Sequence, residues 1–249
     1  GEHHGAIDAY EWAIRINPCF ASVWINKGLA LIVQSRYQEA MEAFVKVIQI
    51  NPEYAEVWSH KGFALTKLGR YQKAIEAYDQ AIRINPQDAE TWSNKGVALA
   101  RQGRNQEAID AYDQSIRIYP HSASVWVNKG LALVVQGQYQ EAMEAFDQAI
   151  RVDSLYASAW SCKGTLLAQQ GRYPEAMEAH DQAIRINPQD AEVWYSMGNT
   201  LAELGRSQDA LEAYNRAVKI NPQSEIAQKI KEDRWNAPKK SSLNGWEDL

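Results

Sequence analysis

The sequence predicts an all-α fold, a solenoid of antiparallel helix pairs stacked at a 34-residue period. Three observations carry this expectation. Trp24, Trp58, Trp92, Trp126, Trp160 and Trp194 stand 34 residues apart. Each is followed at fixed distances by a glycine, an alanine, a ring and, in five of six cases, a proline. Between these landmarks the apolar residues recur at helical spacing.

Four residues after each tryptophan come Gly28, Gly62, Gly96, Gly130, Gly164 and Gly198, and sixteen after it come Ala40, Ala74, Ala108, Ala142, Ala176 and Ala210. Twenty after it come Phe44, Tyr78, Tyr112, Phe146, His180 and Tyr214. Pro52, Pro86, Pro120, Pro188 and Pro222 follow at twenty-eight, with Ser154 the exception. The second repeat shows how each unit reads. Residues 55–68 carry Val57, Trp58, Phe63, Ala64 and Leu65 on helical spacing, and Gly69-Arg70 turns the chain, since glycine tolerates the left-handed backbone that ends a helix. Residues 71–84 carry Ala74, Ile75, Tyr78, Ala81 and Ile82, and Asn85-Pro86 closes the unit, because proline cannot continue the hydrogen-bond ladder. The small Gly62 and Ala74 allow the two backbones to approach, with Trp58 and Tyr78 expected to fill the space around that contact. One helix pair cannot bury both faces, so neighbours must stack.

The repeats are placed at 21–54, 55–88, 89–122, 123–156, 157–190 and 191–222. In residues 1–18, Ala6, Tyr10, Ala13 and Pro18 match Ala74, Tyr78, Ala81 and Pro86. This segment therefore reads as the second helix of a truncated leading repeat, either cut from a longer protein or covered by another molecule. Residues 223–236 lack the tryptophan–glycine signature but keep an apolar stripe of Ile226, Ile230 and Trp235, as a capping helix requires. Residues 237–249 form a tail with two readings. It is a solvated linker, or its Leu243, Trp246 and Leu249 are a self-ligand docking in the groove of its own or a neighbouring chain.

Bulk composition narrows the function. The 249 residues carry 26 Lys+Arg against 31 Asp+Glu, a formal net charge of −5, and the basic residues do not cluster. Such a chain repels nucleic acid and anionic lipid. No apolar run is long enough to span a membrane, and the N-terminus shows no basic-then-apolar signal pattern. Cys19 and Cys162 have no metal-ligand spacing, and read as reduced thiols of a cytoplasmic protein. No cofactor is expected. His3-His4 receive no metal role. No acid, base and nucleophile converge as an enzyme needs: the carboxylates Glu56, Glu90 and Glu192 fall one per repeat.

The pattern resembles the tetratricopeptide repeat family over residues 5–222, with the family's Trp, Gly, Ala, aromatic, Ala and Pro positions on Trp58, Gly62, Ala74, Tyr78, Ala81 and Pro86. The resemblance implies a right-handed superhelix whose first helices line a concave face, and protein or peptide partners. Two departures stand out. Lys27, Lys61, Lys95, Lys129 and Lys163 precede the glycines, where a lysine is expected to bury its stem and keep its ammonium wet. His180 occupies an aromatic slot and reads as a packed core histidine.

Counting from each tryptophan, the first-helix positions turned away from the second helix give the expected groove. These are Ile25, Asn26, Leu29 and Val33; His60, Phe63 and Lys67; Asn94, Val97 and Arg101; Val127, Asn128, Leu131 and Val135; Thr165; and Tyr195 and Asn199. Repeats one and four offer apolar residues there, which either mark an interaction site or pack on neighbouring first helices. Asn26, Asn94 and Asn128 share one register, and an amide pairs with a peptide backbone whatever its sequence. This looks like the asparagine ladder in the repeat domain of O-linked N-acetylglucosamine transferases, interrupted here by His60, Cys162 and Ser196. The carboxylate clamp of the chaperone-binding members is not matched: Ile25, Leu29, His60, Glu90 and Asn94 occupy its positions, and Glu90 repels a carboxylate. Repeats one and four are unusually alike at a separation of 102 residues, two and five share a Trp-Ser-x-Lys-Gly string at Trp58 and Trp160, and three and six carry the polar Asn105 and Ser207 in place of the turn tyrosine, which suggests a duplicated three-repeat block. The expected function is a scaffold that holds an extended peptide or partner helix and self-associates through the tail or the N-terminal face. The alternative is a regulatory or substrate-recruiting arm of a larger enzyme.

Overall fold

The computed structural model describes residues 2–225 together with 227, 228 and 230. These residues hold thirteen helices and no strand. The helices are α1 (Glu2–Ile16), α2 (Ala21–Val33), α3 (Tyr37–Ile50), α4 (Ala55–Lys67), α5 (Tyr71–Ile84), α6 (Ala89–Arg101), α7 (Asn105–Ile118), α8 (Ala123–Val135), α9 (Tyr139–Val152), α10 (Ala157–Gln169), α11 (Tyr173–Ile186), α12 (Ala191–Glu203) and α13 (Ser207–Ile220). The chain divides into two compact units, residues 1–145 and 146–249, with the division inside α9.

In the first unit the helices from α1 to α8 pack in chain order, each on the next. The first helices of successive repeats also touch, α2 on α4, α4 on α6 and α6 on α8, while α3, α5 and α7 make no such contacts with one another. Helices that meet on one side and splay on the other put the first helices on the inner face of the stack. In the second unit α10, α11, α12 and α13 pack in order, and α10 again reaches α12 whereas α11 does not reach α13.

The glycine and the ring of each repeat form one contact. A Cβ placed on Gly62 would lie 2.6 Å from Tyr78 Cε1, one on Gly96 2.5 Å from Tyr112 Cε1, and one on Gly164 2.7 Å from His180 Nδ1. Only a residue without a side chain lets the ring lie flat on the first helix, and Phe44, Tyr78, Tyr112, Phe146 and His180 are buried as a result. The turn between helices is closed by a residue at positive φ. Gly69 has φ +71°, and Arg70 N–H then reaches back 2.9 Å to Leu65 O, satisfying an end carbonyl of α4. In the first repeat Ser35 adopts this conformation, φ +59°.

The tryptophans add a hydrogen bond to the expected packing role. They are half-buried, and Trp24 and Trp194 pack against the core clusters of their repeats. Each indole N–H also donates to the backbone carbonyl six residues earlier, at 2.8–3.0 Å: Pro18, Pro52, Pro86, Pro120, Ser154 and Pro188. The tryptophan thus fastens the loop that enters its own first helix. A carbonyl is what the indole needs, which is why Ser154 serves where the others have proline.

The lysine side chains are mostly buried, and four of the five ammonium groups meet a part-exposed acid. Lys27 meets Glu11 at 2.8 Å, Lys95 meets Asp79 at 2.6 Å, Lys129 meets Asp113 at 2.5 Å and Lys163 meets Asp147 at 2.7 Å. Each lysine also stands 4.8–5.8 Å above the tryptophan ring of its own repeat, a cation–π geometry. The acid comes from the preceding second helix, sixteen residues earlier. At Lys61 that position is Val45, and opposite Asp181 the lysine is replaced by Met197; among the described residues neither charge has an ion-pair partner.

Two first helices 102 residues apart start alike. Asp88 caps α6 by accepting from Glu90 N–H, and Asp190, 102 residues on, caps α12 by accepting from Glu192 and Val193 N–H. At the chain ends, α1 occupies Glu2–Ile16 of the leading segment. Residues 225, 227, 228 and 230 are helical, with Ala227 and Ile230 buried. The rest of the expected capping stripe, Ile226 and Trp235, and the tail residues Leu243, Trp246 and Leu249 lie outside the described residues. No described helix is long and apolar enough to cross a membrane.

Candidate functional site

In the first unit the inner face is built from α2, α4, α6 and α8. The helix termini carry its apolar part: Leu29 and Val33 of α2 are 36% and 67% exposed, Leu131 and Val135 of α8 are 45% and 70% exposed. Asn26 is exposed and Asn94 and Asn128 are half-buried, so the three amides keep surface for a ligand. Lys67 and Arg101 are exposed at the same rim, with Lys67 Nζ 5.2 Å from the Phe63 ring centroid. Ile25 and Val97 are half-buried. Val127 is a correction to the expected wall: it is 4% exposed and belongs to the core. The reason lies in its register. The position after each tryptophan faces the next first helix, as Ile25 packs on the cluster holding Val57 and Ser59 meets Thr91.

Between α4 and α6 this face opens into a cleft of about 430 Å³ that gathers His60, Phe63 and Asn94 with Glu56, Asp88 and Glu90. The His60 ring meets the Phe44 ring at a tilt of 35°, ring centroids 5.6 Å apart. Burial lowers its pKa, against the opposing pull of Glu56, Glu90 and Asp88, so the imidazole faces the carboxylates as a neutral group. Asp88 is held rigidly: it caps α6, and the buried Thr91 hydroxyl bridges Asp88 Oδ2 at 2.5 Å and Ser59 Oγ at 2.7 Å. The charge of this cleft suits a cationic or amide side chain and repels a carboxylate. Asn85, Gln87 and Asp88 line it from the loop before α6. Counting helix positions alone missed them, although Asp88 is legible as a helix cap.

In the second unit the expected residues separate. Thr165 and Asn199 line a cleft of about 420 Å³ with Ala168, Gln169, His180 and Glu203, while the Tyr195 ring meets the Tyr214 ring at a tilt of 43°, centroids 5.8 Å apart. Asn199 Oδ1 accepts from the Tyr214 hydroxyl at 2.8 Å. His180 is fully buried, and neither ring nitrogen has a hydrogen-bond partner. Burial alone brings its pKa down to about 4. Burial also pushes the Cys162 thiol up to about 11, which keeps it protonated and unreactive.

Residues 96–234, more than half of the chain, match the family model of the cilia and flagella-associated protein 70 C-terminal domain. Residues 61–123 and 21–54 match models of the tetratricopeptide repeat. No curated protein matches. Among solved structures, a tetratricopeptide repeat protein from Parabacteroides merdae is 16% identical, with 95% of this chain and 93% of that one covered at a TM-score of 0.77. YrrB, described as a TPR protein with an unusual peptide-binding site, is 24% identical, with 77% and 99% covered at 0.57. MamA is 24% identical, with 68% and 96% covered at 0.58. These likenesses concern the fold, and with the repeat models they place the molecule: the chain belongs to the tetratricopeptide repeat family.

Proposed function

We propose that the chain is a protein-interaction scaffold whose first-helix faces hold an extended peptide or a partner helix. The observation that carries this is the inner face of the first unit. There, exposed Val33 and Val135 stand on the same side as the amides Asn26, Asn94 and Asn128 and the His60 cleft. Apolar side chains on such a wall contribute about 1.5–3 kcal/mol each when a partner covers them. The amides supply donors and acceptors for a peptide backbone. A wall formed in advance also loses little ordering entropy on binding. The peptide-binding site named for YrrB agrees with this use of the fold.

The test is a peptide selected by display against the chain and measured by fluorescence anisotropy. Asn94→Ala with Asn128→Ala is expected to weaken binding at least tenfold, with the melting temperature nearly unchanged because both side chains keep exposed surface. Unchanged affinity removes these amides from the binding surface.

A further inference from the structure

The charges on the inner face of the first unit fall into two rows. α4 opens on Glu56 and ends on Lys67, and α6 opens on Glu90 and ends on Arg101. α2 and α8 carry no acid in the first turn and no base in the last; they end on the exposed Val33 and Val135. Eleven residues separate each acid from its base, just over three turns, which puts the two on one stripe of the helix about 16 Å apart. Glu56 and Glu90 line the cleft between α4 and α6, and Lys67 lies over the Phe63 ring of that cleft. All four charged residues are exposed, and among the described residues none has an ion-pair partner. Acids at helix starts and bases at helix ends also favour the helix dipole, but α2 and α8 have the same dipole and no such charges.

The chemistry of the guest follows from this layout. Successive side chains of an extended segment point to opposite sides. Lying across the first helices, such a segment sends alternate residues toward the helix starts and the helix ends. Packed helices stand about 8–10 Å apart, so α2 and α8 are separated by roughly 24–30 Å, a span that about nine extended residues cover at ~3.3 Å each. We propose that the inner face of the first unit binds an extended protein segment of alternating charge with an apolar residue at each end. Its bases lie toward Glu56 and Glu90, its acids toward Lys67 and Arg101, and its apolar ends on Val33 and Val135. The proposal rests on the first-helix faces being a peptide groove.

The experiment measures four labelled peptides on the full chain by fluorescence anisotropy. Leu-Ser-Glu-Lys-Ser-Lys-Glu-Ser-Leu puts both acids on the side of its leucines and both lysines on the other, and it reads the same in either chain direction. Leu-Ser-Lys-Glu-Ser-Glu-Lys-Ser-Leu exchanges the two sides. Leu-Ser-Glu-Glu-Ser-Glu-Glu-Ser-Leu and Leu-Ser-Lys-Lys-Ser-Lys-Lys-Ser-Leu carry one sign each. The first peptide is expected to bind at least tenfold more tightly than any of the others. Lys67→Glu with Arg101→Glu should move the preference to the all-lysine peptide, and Glu56→Lys with Glu90→Lys to the all-glutamate one; circular dichroism checks that both variants keep their helices. Equal affinity for the four peptides, no binding of any, a parent preference for another of the four, or a preference untouched by both pairs of substitutions overturns the charge pattern. If the pattern fails while a display-selected peptide still perturbs Asn94 and Asn128, the groove itself stands; loss of both responses removes the groove.

Discussion

Acidification should weaken the second unit through a single side chain. His180 is fully buried, and its pKa falls from the ordinary 6.5 to about 4 because burial penalises the imidazolium. In the unfolded chain the same ring takes up its proton near 6.5. The stability that the neutral form provides is therefore complete above about pH 6.5. It is lost as pH falls toward 4 and changes no further below that. Each pH unit of separation corresponds to about 1.4 kcal/mol, so the full loss is about 3 kcal/mol, and about 2 kcal/mol of it falls between pH 7 and pH 5. Urea unfolding followed by circular dichroism at these two pH values, in the parent and in His180→Phe, isolates the effect. His60, whose pKa burial also lowers, is common to both proteins and cancels in the comparison. The parent should lose about 2 kcal/mol more than the variant. An identical pH dependence in the two proteins would refute a desolvated, unpartnered imidazole at this position.

Two further substitutions separate packing from backbone conformation. Gly62→Ala drives a Cβ to within 2.6 Å of the buried Tyr78 ring and should cost about 1–3 kcal/mol. Gly69→Ala meets no atom within 4 Å and should cost about 1 kcal/mol from its left-handed backbone alone; thermal melts of both variants check the order. The interrupted lysine ladder can be repaired: Val45→Asp opposite Lys61 and Met197→Lys opposite Asp181 should each raise stability by up to about 1 kcal/mol, with the gain shrinking in high salt. Ser35→Gly relieves the non-glycine residue at φ +59° and should raise the melting temperature slightly, while Ser35→Val should lower it.

Much of this was legible because each repeat states its own geometry. Gly62 and Tyr78, sixteen residues apart, announce a ring lying on a backbone, and the structure puts them in contact. The turn glycines announce positive φ, and only Ser35 had to be seen to be known as an equivalent. The second task of Trp58 was not legible, because a fixed period does not say which atom matters: its N–H fastens the Pro52 carbonyl. The lysine partners were present in the sequence as an acid sixteen residues earlier, a spacing that becomes meaningful only once successive repeats are stacked. The clefts were the least legible part. Asp88 enters from a loop, and Val127 is buried by its neighbours rather than by its own helix pattern.

The most direct measurement is a backbone and side-chain amide map of the chain, by NMR, with and without a display-selected peptide. Perturbations should concentrate on the side-chain amides of Asn26, Asn94 and Asn128 and on the exposed ends of α2 and α8, leaving the outward residues of α3, α5 and α7 unmoved. Perturbations confined to those second helices, with the three asparagines silent, would contradict the assignment of the first-helix face as the binding surface.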